Sequence, residues 1–115
     1  MRRFLPVSEN ASPDKQYQLR YLDLFEKDLE QIVDYITHEL DNPEAADNLI
    51  NAVEDAILQR STCAEAFEQY PSKRERRHPY YRIYVHNYIV FYVVIGDVME
   101  VRRMLYSRRD MRKEI

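Results

Sequence analysis

The apolar residues of this 115-residue chain change their spacing once, from the period of a helix to the short runs of β-strands. Between residues 25 and 57 they recur every three or four positions, in two stripes separated by Asp41-Asn42-Pro43. Between residues 80 and 106 they form three runs rich in β-branched and aromatic side chains, broken at Asn87 and at Gly96-Asp97. This change predicts two helices packed on one face of a sheet, because each stripe has to be covered by another layer.

The ends of the two helices are predicted from residues that start or stop helical structure. Asp23 is expected as the N-cap of the first helix, with Glu26 three residues later at the spacing of a capping box. The helix should end near residue 40, where Asp41-Asn42-Pro43 cannot continue it. Pro43 is well placed as the first residue of the second helix, with Asn42 as its cap. So short a link makes the helices antiparallel neighbours in an αα-hairpin.

The strands complete the expected fold. An alternating segment at residues 17–22 predicts one strand before the helices, and the later runs predict three more at 80–86, 88–95 and 98–106. Gly96, the only glycine, supplies the positive φ that a two-residue hairpin requires. The expected class is α+β, in the order strand-helix-helix-strand-strand-strand, an antiparallel sheet with the αα-hairpin packed on one face. Residues 1–15 are expected to be a flexible leader and residues 16–115 a single domain.

Charge is divided unevenly along the chain. Residues 1–69 carry 6 Lys/Arg and 15 Asp/Glu, whereas residues 70–115 carry 11 Lys/Arg and 5 Asp/Glu. One interpretation is that the basic half faces a polyanion or an acidic protein segment while the acidic half faces water. The alternative is that solvated helix faces and strand edges account for both excesses.

Several classes of protein are not expected from this composition. No apolar run approaches the roughly 20 residues needed to cross a bilayer, and the first residues do not resemble a signal peptide. A single cysteine, Cys63, cannot form an internal disulfide, which fits a reducing cytoplasm. The three histidines lack the spacing of metal ligands, and one glycine cannot build a phosphate loop. We therefore expect a cytoplasmic protein that needs neither a metal nor another cofactor.

Four segments in the same order resemble the RelE/ParE superfamily, the toxins of type II toxin–antitoxin systems. They are DLEQIVDYI at 28–36, NPEAA at 42–46, NYIVFY at 87–92 and RMLYSRRD at 103–110. The resemblance runs from about residue 17 to residue 110. It implies the fold given above and the role of a toxin that inhibits bacterial growth.

Members of this superfamily act in at least two ways, and the resemblance implies different site residues for each. RelE-like members cleave mRNA on the ribosome without metal, which would make Arg82, Tyr106 and Arg108 the catalytic residues here. His78 and His86 are further candidates for proton transfer. RelE-like nucleases, however, place an arginine where this chain has Ile89, and losing such a cation costs on the order of 10²–10³ in rate.

ParE-like members inhibit DNA gyrase and need only a binding surface. The apolar strand and its Arg-rich ending are closer to this branch, so action on gyrase is the favoured prediction. The alternatives are a ribosome-dependent mRNA endonuclease and an inactive scaffold that only binds an antitoxin. The expected target-binding residues are the remaining cations of the basic half, namely Lys73, Arg74, Arg76, Arg77, Arg103 and Arg109.

The resemblance also implies partners. A cognate antitoxin protein is expected, with a disordered tail that folds on the toxin. The target is expected to be DNA gyrase or the ribosome and its mRNA, with no membrane and no small-molecule cofactor involved. If the prediction of a target surface is right, the positive side chains should gather on the face of the sheet that the helices leave uncovered.

Overall fold

The elements follow the predicted order in the computed structural model, which describes residues 16–71 and 77–108. Their bounds are β1 Gln18–Tyr21, α1 Asp23–Asp34 with a π-helical turn Tyr35–Glu39, α2 Pro43–Arg60, β2 Tyr81–Val85, β3 Tyr88–Ile95 and β4 Val98–Tyr106. The α+β class is confirmed. The expected leader, residues 1–15, lies outside the described residues.

The sheet has the strand order β1-β4-β3-β2. Strands β2, β3 and β4 form the predicted antiparallel meander. Strand β1 pairs parallel with β4, Gln18 opposite Val98 and Tyr21 opposite Val101. The sheet is therefore mixed and not wholly antiparallel, because the helical hairpin after β1 supplies the long connection that a parallel arrangement requires.

The helix ends agree with the prediction at one junction and differ at the other. Asn42 caps α2 by accepting a hydrogen bond from the Ala45 N–H, and Pro43 is the first helical residue. The first helix begins one residue earlier than expected, since Leu22 is its N-cap and its carbonyl accepts from the Glu26 N–H. Asp23 therefore lies in the first turn, where its charge favours the positive end of the helix.

Alternation along β3 divides its side chains between two apolar clusters. Val90 and Tyr92 pack towards the helices in the main core. Phe91 and Ile89 point to the opposite face and form a smaller cluster with Leu105. Both faces of the central strand are thus buried, although the helices cover only one of them.

Candidate target-binding surface

The face of the sheet opposite α1 and α2, called here the helix-free face, carries most of the polar strand residues. In β2, the buried neighbours Tyr81 and Ile83 belong to the main core, so Arg82 and Tyr84 point the other way. In β1 and β4 the same alternation places Arg20 and Glu100 on the helix-free face. The segment before β2 covers part of this face, because Tyr70 and Tyr80 pack on the smaller apolar cluster.

Arginines and aromatic rings alternate across the helix-free face. The Arg82 guanidinium carbon lies 5.3 Å from the centre of the Tyr70 ring and 5.8 Å from that of Tyr84. The Tyr70 ring meets Phe91 edge-on at 5.3 Å between centroids. These separations lie within the range of cation–π and edge-to-face contacts, so the row holds Arg82 in a defined position.

Further towards β1, the helix-free face carries an Arg–Glu–Arg group. Arg102 lies 5.9 Å from the centre of the Tyr80 ring, and its Nε donates to Oε1 of Glu100 at 2.9 Å. On the other side, Nη1 of Arg20 donates to Oε2 of Glu100 at 3.0 Å. The Glu100 side chain is only 8% exposed. Its burial alone would raise the pKa of Glu100, but hydrogen bonds and charge from both arginines outweigh burial and hold the pKa below its usual range.

The structure places Arg103, one of the predicted target-binding residues, in an internal ion pair. Its Nε and Nη2 donate to the two carboxylate oxygens of Asp28 at 2.8 and 3.2 Å. The two side chains are 17% and 12% exposed. Arg103 stands opposite Phe91, next to a register shift in β4, and Asp28 lies at the edge of this strand, where it also accepts from the Met104 N–H. Arg103 is therefore not available as an exposed cation.

Two of the three residues predicted to form a nuclease site, Arg82 and Tyr106, lie on different faces of the sheet. Arg82 lies on the helix-free face, whereas Tyr106 pairs with Tyr88, which packs on the helix side. The Tyr88 and Tyr106 rings are 5.7 Å apart, and the pKa of Tyr88 is raised by burial, by Tyr106 and by Tyr35. Arg108 is exposed beyond the end of β4, next to the turn where the Ser107 N–H donates to the Asn87 carbonyl.

The remaining predicted residues are placed only in part. Arg77 is exposed before β2, while Lys73, Arg74, Arg76 and Arg109 lie outside the described residues. The two histidines named for proton transfer are separated, since His78 is partly buried before β2 and His86 occupies the β2–β3 turn with φ 53°.

Arg60, a residue that the sequence analysis did not single out, joins α2 to the sheet. Its Nη1 donates to the Tyr92 hydroxyl at 3.0 Å and to the Arg82 carbonyl at 3.1 Å, and its guanidinium lies 3.5 Å from the centre of the Phe67 ring. The Tyr92 hydroxyl in turn donates to the Ala64 carbonyl at 2.6 Å. These bonds tie the segment leading to Tyr70 against β2. A cation in the last turn of α2 was the only sequence signal for this role.

Within residues 16–71 and 77–108, no helix is both long and apolar enough to span a bilayer. No group of three His, Cys, Asp or Glu side chains is arranged there to hold a metal ion.

Comparison with known proteins identifies the family. A family model described as the ParE toxin of the type II toxin–antitoxin system parDE matches residues 19–111. A solved chain titled as the chromosomal ParDE TA system from P. aeruginosa has a TM-score of 0.66 at 16% identity, over 81% of this chain and 98% of its own, which supports the fold. No curated protein gives a significant match. Because the family match covers most of the chain, the protein belongs to the ParE toxin family of type II toxin–antitoxin systems.

Proposed function

We propose that this ParE-family toxin inhibits bacterial growth by binding DNA gyrase and that a cognate antitoxin neutralises it. The observation that carries the proposal is the separation of the nuclease residues. Arg82 and Tyr106 lie on opposite faces of the sheet, which argues against their acting on one phosphate group. Binding to a protein target makes no such demand on them.

The chemistry of mRNA cleavage explains why the separation supports the proposal. Cleavage without metal needs a base at the 2′-hydroxyl, an acid at the leaving oxygen and cations around the phosphate, all within hydrogen-bonding reach of each other's substrate atoms. Ile89, which stands where RelE-like nucleases have an arginine, is buried in the smaller apolar cluster. An apolar side chain at this position stabilises the sheet and supplies no charge to a transition state.

The helix-free face has the composition of a protein-binding surface. It presents Arg82 beside the exposed ring of Tyr84, and arginine and tyrosine are enriched at the centres of interfaces. Arg108 and Arg77 are exposed at the two ends of the meander. These cations would also accelerate association with an acidic or DNA-bound target.

Induced expression in bacteria without the antitoxin gene tests the proposed target. The proposal expects trapped gyrase–DNA breaks and loss of supercoiling activity, with transcripts left intact. Codon-positioned cuts in mRNA without DNA damage would instead indicate a nuclease. Normal growth at verified expression levels would indicate an inactive scaffold.

Two substitutions test the proposed binding surface, and a third separates binding from nuclease action. We expect Arg82→Ala and Arg108→Ala each to reduce toxicity by about ten-fold or more, which corresponds to roughly 1.4 kcal/mol of lost binding free energy. Tyr106→Phe, which removes only the hydroxyl, should leave toxicity unchanged. A proton-transfer role would instead cost Tyr106→Phe on the order of 10²-fold. Toxicity is measured as colony survival at equal levels of folded protein.

A further inference from the structure

The charged residues of the four strands are distributed in a way that the gyrase proposal does not explain. Apart from Arg103, which pairs with Asp28, these residues are Arg20, Arg82, Glu100 and Arg102. All four lie on the helix-free face, on three different strands. Three arginines against one carboxylate leave this face with an excess of two positive charges.

We propose that the helix-free face binds the sugar–phosphate backbone of a DNA strand, with Arg20, Arg82 and Arg102 contacting phosphates along it. This deepens the proposed function, on which it rests for the choice of DNA, since a toxin bound to gyrase lies beside the DNA that the enzyme holds. The new residues are Arg20 and Arg102, which neither the family match nor the sequence analysis assigned.

The spacing of the arginines suits a chain of phosphates. Arg82 is on β2, Arg102 on β4 and Arg20 on β1, in a sheet ordered β1-β4-β3-β2. Neighbouring strands lie about 4.8 Å apart, so the arginines are spread over roughly 14 Å across the strands. A guanidinium group presents several N–H donors in a plane that matches phosphate oxygens.

The ion pairs with Glu100 orient Arg20 and Arg102 and leave some of their N–H donors available. Glu100 engages Nη1 of Arg20 and Nε of Arg102, and the Tyr80 side chain is also hydrogen-bonded to Arg102. Because a guanidinium group carries five N–H donors, each arginine has further donors to offer a ligand. The Arg20 side chain remains 54% exposed despite its ion pair. Held in this way, Arg20 loses less conformational entropy on binding than an unrestrained surface arginine would.

The tyrosines favour DNA over an acidic protein segment as the occupant. Tyr84 is 64% exposed beside Arg82, and an exposed ring on a flat sheet can stack with a base or a sugar. A stretch of carboxylates would use the arginines but would have no need of this ring. The combination of cations and an exposed aromatic ring is typical of surfaces that follow a single strand.

Direct binding tests the inference with the full-length toxin, free of antitoxin. The probe is a fluorescein-labelled oligothymidine, and binding is followed by fluorescence anisotropy over a range of NaCl concentrations. We expect Arg20→Gln and Arg102→Gln each to weaken binding by about three- to ten-fold. We also expect the slope of log K against log salt to fall in magnitude by about 0.7 for each phosphate contact removed.

Lys27→Gln is the matched control, since it removes an exposed positive charge from α1. It should bind the oligonucleotide as the unmodified toxin does. Arg102→Gln lies next to buried Glu100, so thermal unfolding checks its fold, and the more exposed Arg20→Gln keeps the test decisive if that variant unfolds. Unchanged affinity and salt slope for Arg20→Gln would overturn the inference, as would an equal loss for Lys27→Gln.

Two further comparisons decide the occupant. Binding of poly-glutamate that depends on Arg20, with no binding of DNA, would show an acidic protein segment to be the ligand and would overturn the inference. A preference for RNA of matched length over DNA would overturn the choice of DNA. Gyrase supercoiling assays on the same variants separate the two proposals. If the toxin inhibits gyrase equally with and without Arg20, only the proposed DNA contact is contradicted. If the toxin binds DNA but does not inhibit gyrase, only the proposed gyrase target is contradicted.

Discussion

Asp28 joins α1 to the sheet through three hydrogen bonds. Its carboxylate accepts two hydrogen bonds from Arg103 and a third, at 3.0 Å, from the backbone N–H of Met104. Both oxygens of a mostly buried carboxylate are therefore occupied. Charge-assisted bonds of this kind contribute more to stability than neutral ones, because little water competes for the same groups.

At the residue scale this predicts a clear loss for Asp28→Asn. The amide keeps the shape of the side chain but removes the negative charge facing Arg103, so we expect the free energy of unfolding to fall by about 2 kcal/mol. Urea denaturation measures the change. Asp34→Asn, at an exposed position of the same helix, is the control and should stay within about 0.5 kcal/mol of the unmodified chain. Equal losses in the two variants would mean that the ion pair contributes nothing specific.

The same pair shows where reasoning from sequence ends at this scale. Two consecutive arginines pair with different elements: Arg102 bonds to Glu100 on the helix-free face, and Arg103 bonds to Asp28 of α1. Nothing near them in sequence distinguishes the two, since the carboxylate that holds Arg103 lies 75 residues earlier. The register shift in β4 that separates them leaves no sequence signal of its own, such as a glycine.

Among the elements, both hairpin turns lie where the sequence predicts them, but residue type accounts for the backbone conformation of only one. Gly96 has φ 61°, as expected for the only glycine in a two-residue turn. In the β2–β3 turn the left-handed residue is His86, not the glycine or asparagine that such turns favour. Two-residue connections set by the strand pairing require this backbone conformation whichever residue occupies the position.

The Arg20–Glu100 ion pair joins the parallel strands β1 and β4, and it predicts a pH-dependent stability. Because folding lowers the pKa of Glu100, its carboxylate stabilises the fold above the ordinary value of 4.5. That stabilisation is lost as the pH falls through the lower pKa of the folded state. Glu100→Gln should therefore lower the free energy of unfolding by about 2 kcal/mol at pH 7. At the lowest pH at which the chain stays folded, it should not change this free energy.

Thermal or urea unfolding of Glu100→Gln at a series of pH values measures this convergence. Asp55→Asn, at an exposed position of α2, serves as the control. Its plot of stability against pH should run parallel to that of the unmodified chain. A gap between Glu100→Gln and the unmodified chain that does not narrow on acidification would contradict the role given to the carboxylate.

At the scale of the whole molecule, the succession of elements could be predicted because each has a local signal. Asn42 and Pro43 mark the helical hairpin, and the runs around Gly96 mark the meander. The position of β1 beside β4 could not be predicted, since a four-residue strand has little pattern and its partner is far along the chain. The arrangement of the candidate site could be predicted least, because an excess of basic residues in half of a sequence does not reveal which face of a sheet each cation occupies.

The same scale carries a prediction about the first fifteen residues. Residues 1–15 have no periodic apolar pattern, and the two apolar clusters formed by the described residues run from Tyr17 to Leu105, so we expect the fold not to depend on the first fifteen residues. A chain that starts at residue 16 should keep its thermal midpoint within about 4 °C, the shift that roughly 1 kcal/mol produces in a domain of this size. Circular dichroism checks this. A much larger drop would mean that the segment belongs to the folded domain.

The shortness of β1 has a final consequence. It ends at Tyr21, opposite Val101, so β4 runs on for five residues along an edge that no strand covers among those described. Unpaired edges of this kind recruit strands from other molecules and lead to aggregates. Here the Asp28 carboxylate occupies the Met104 N–H, in the middle of that edge. A side chain on α1 thereby takes up a donor that an added strand from another molecule would need for pairing.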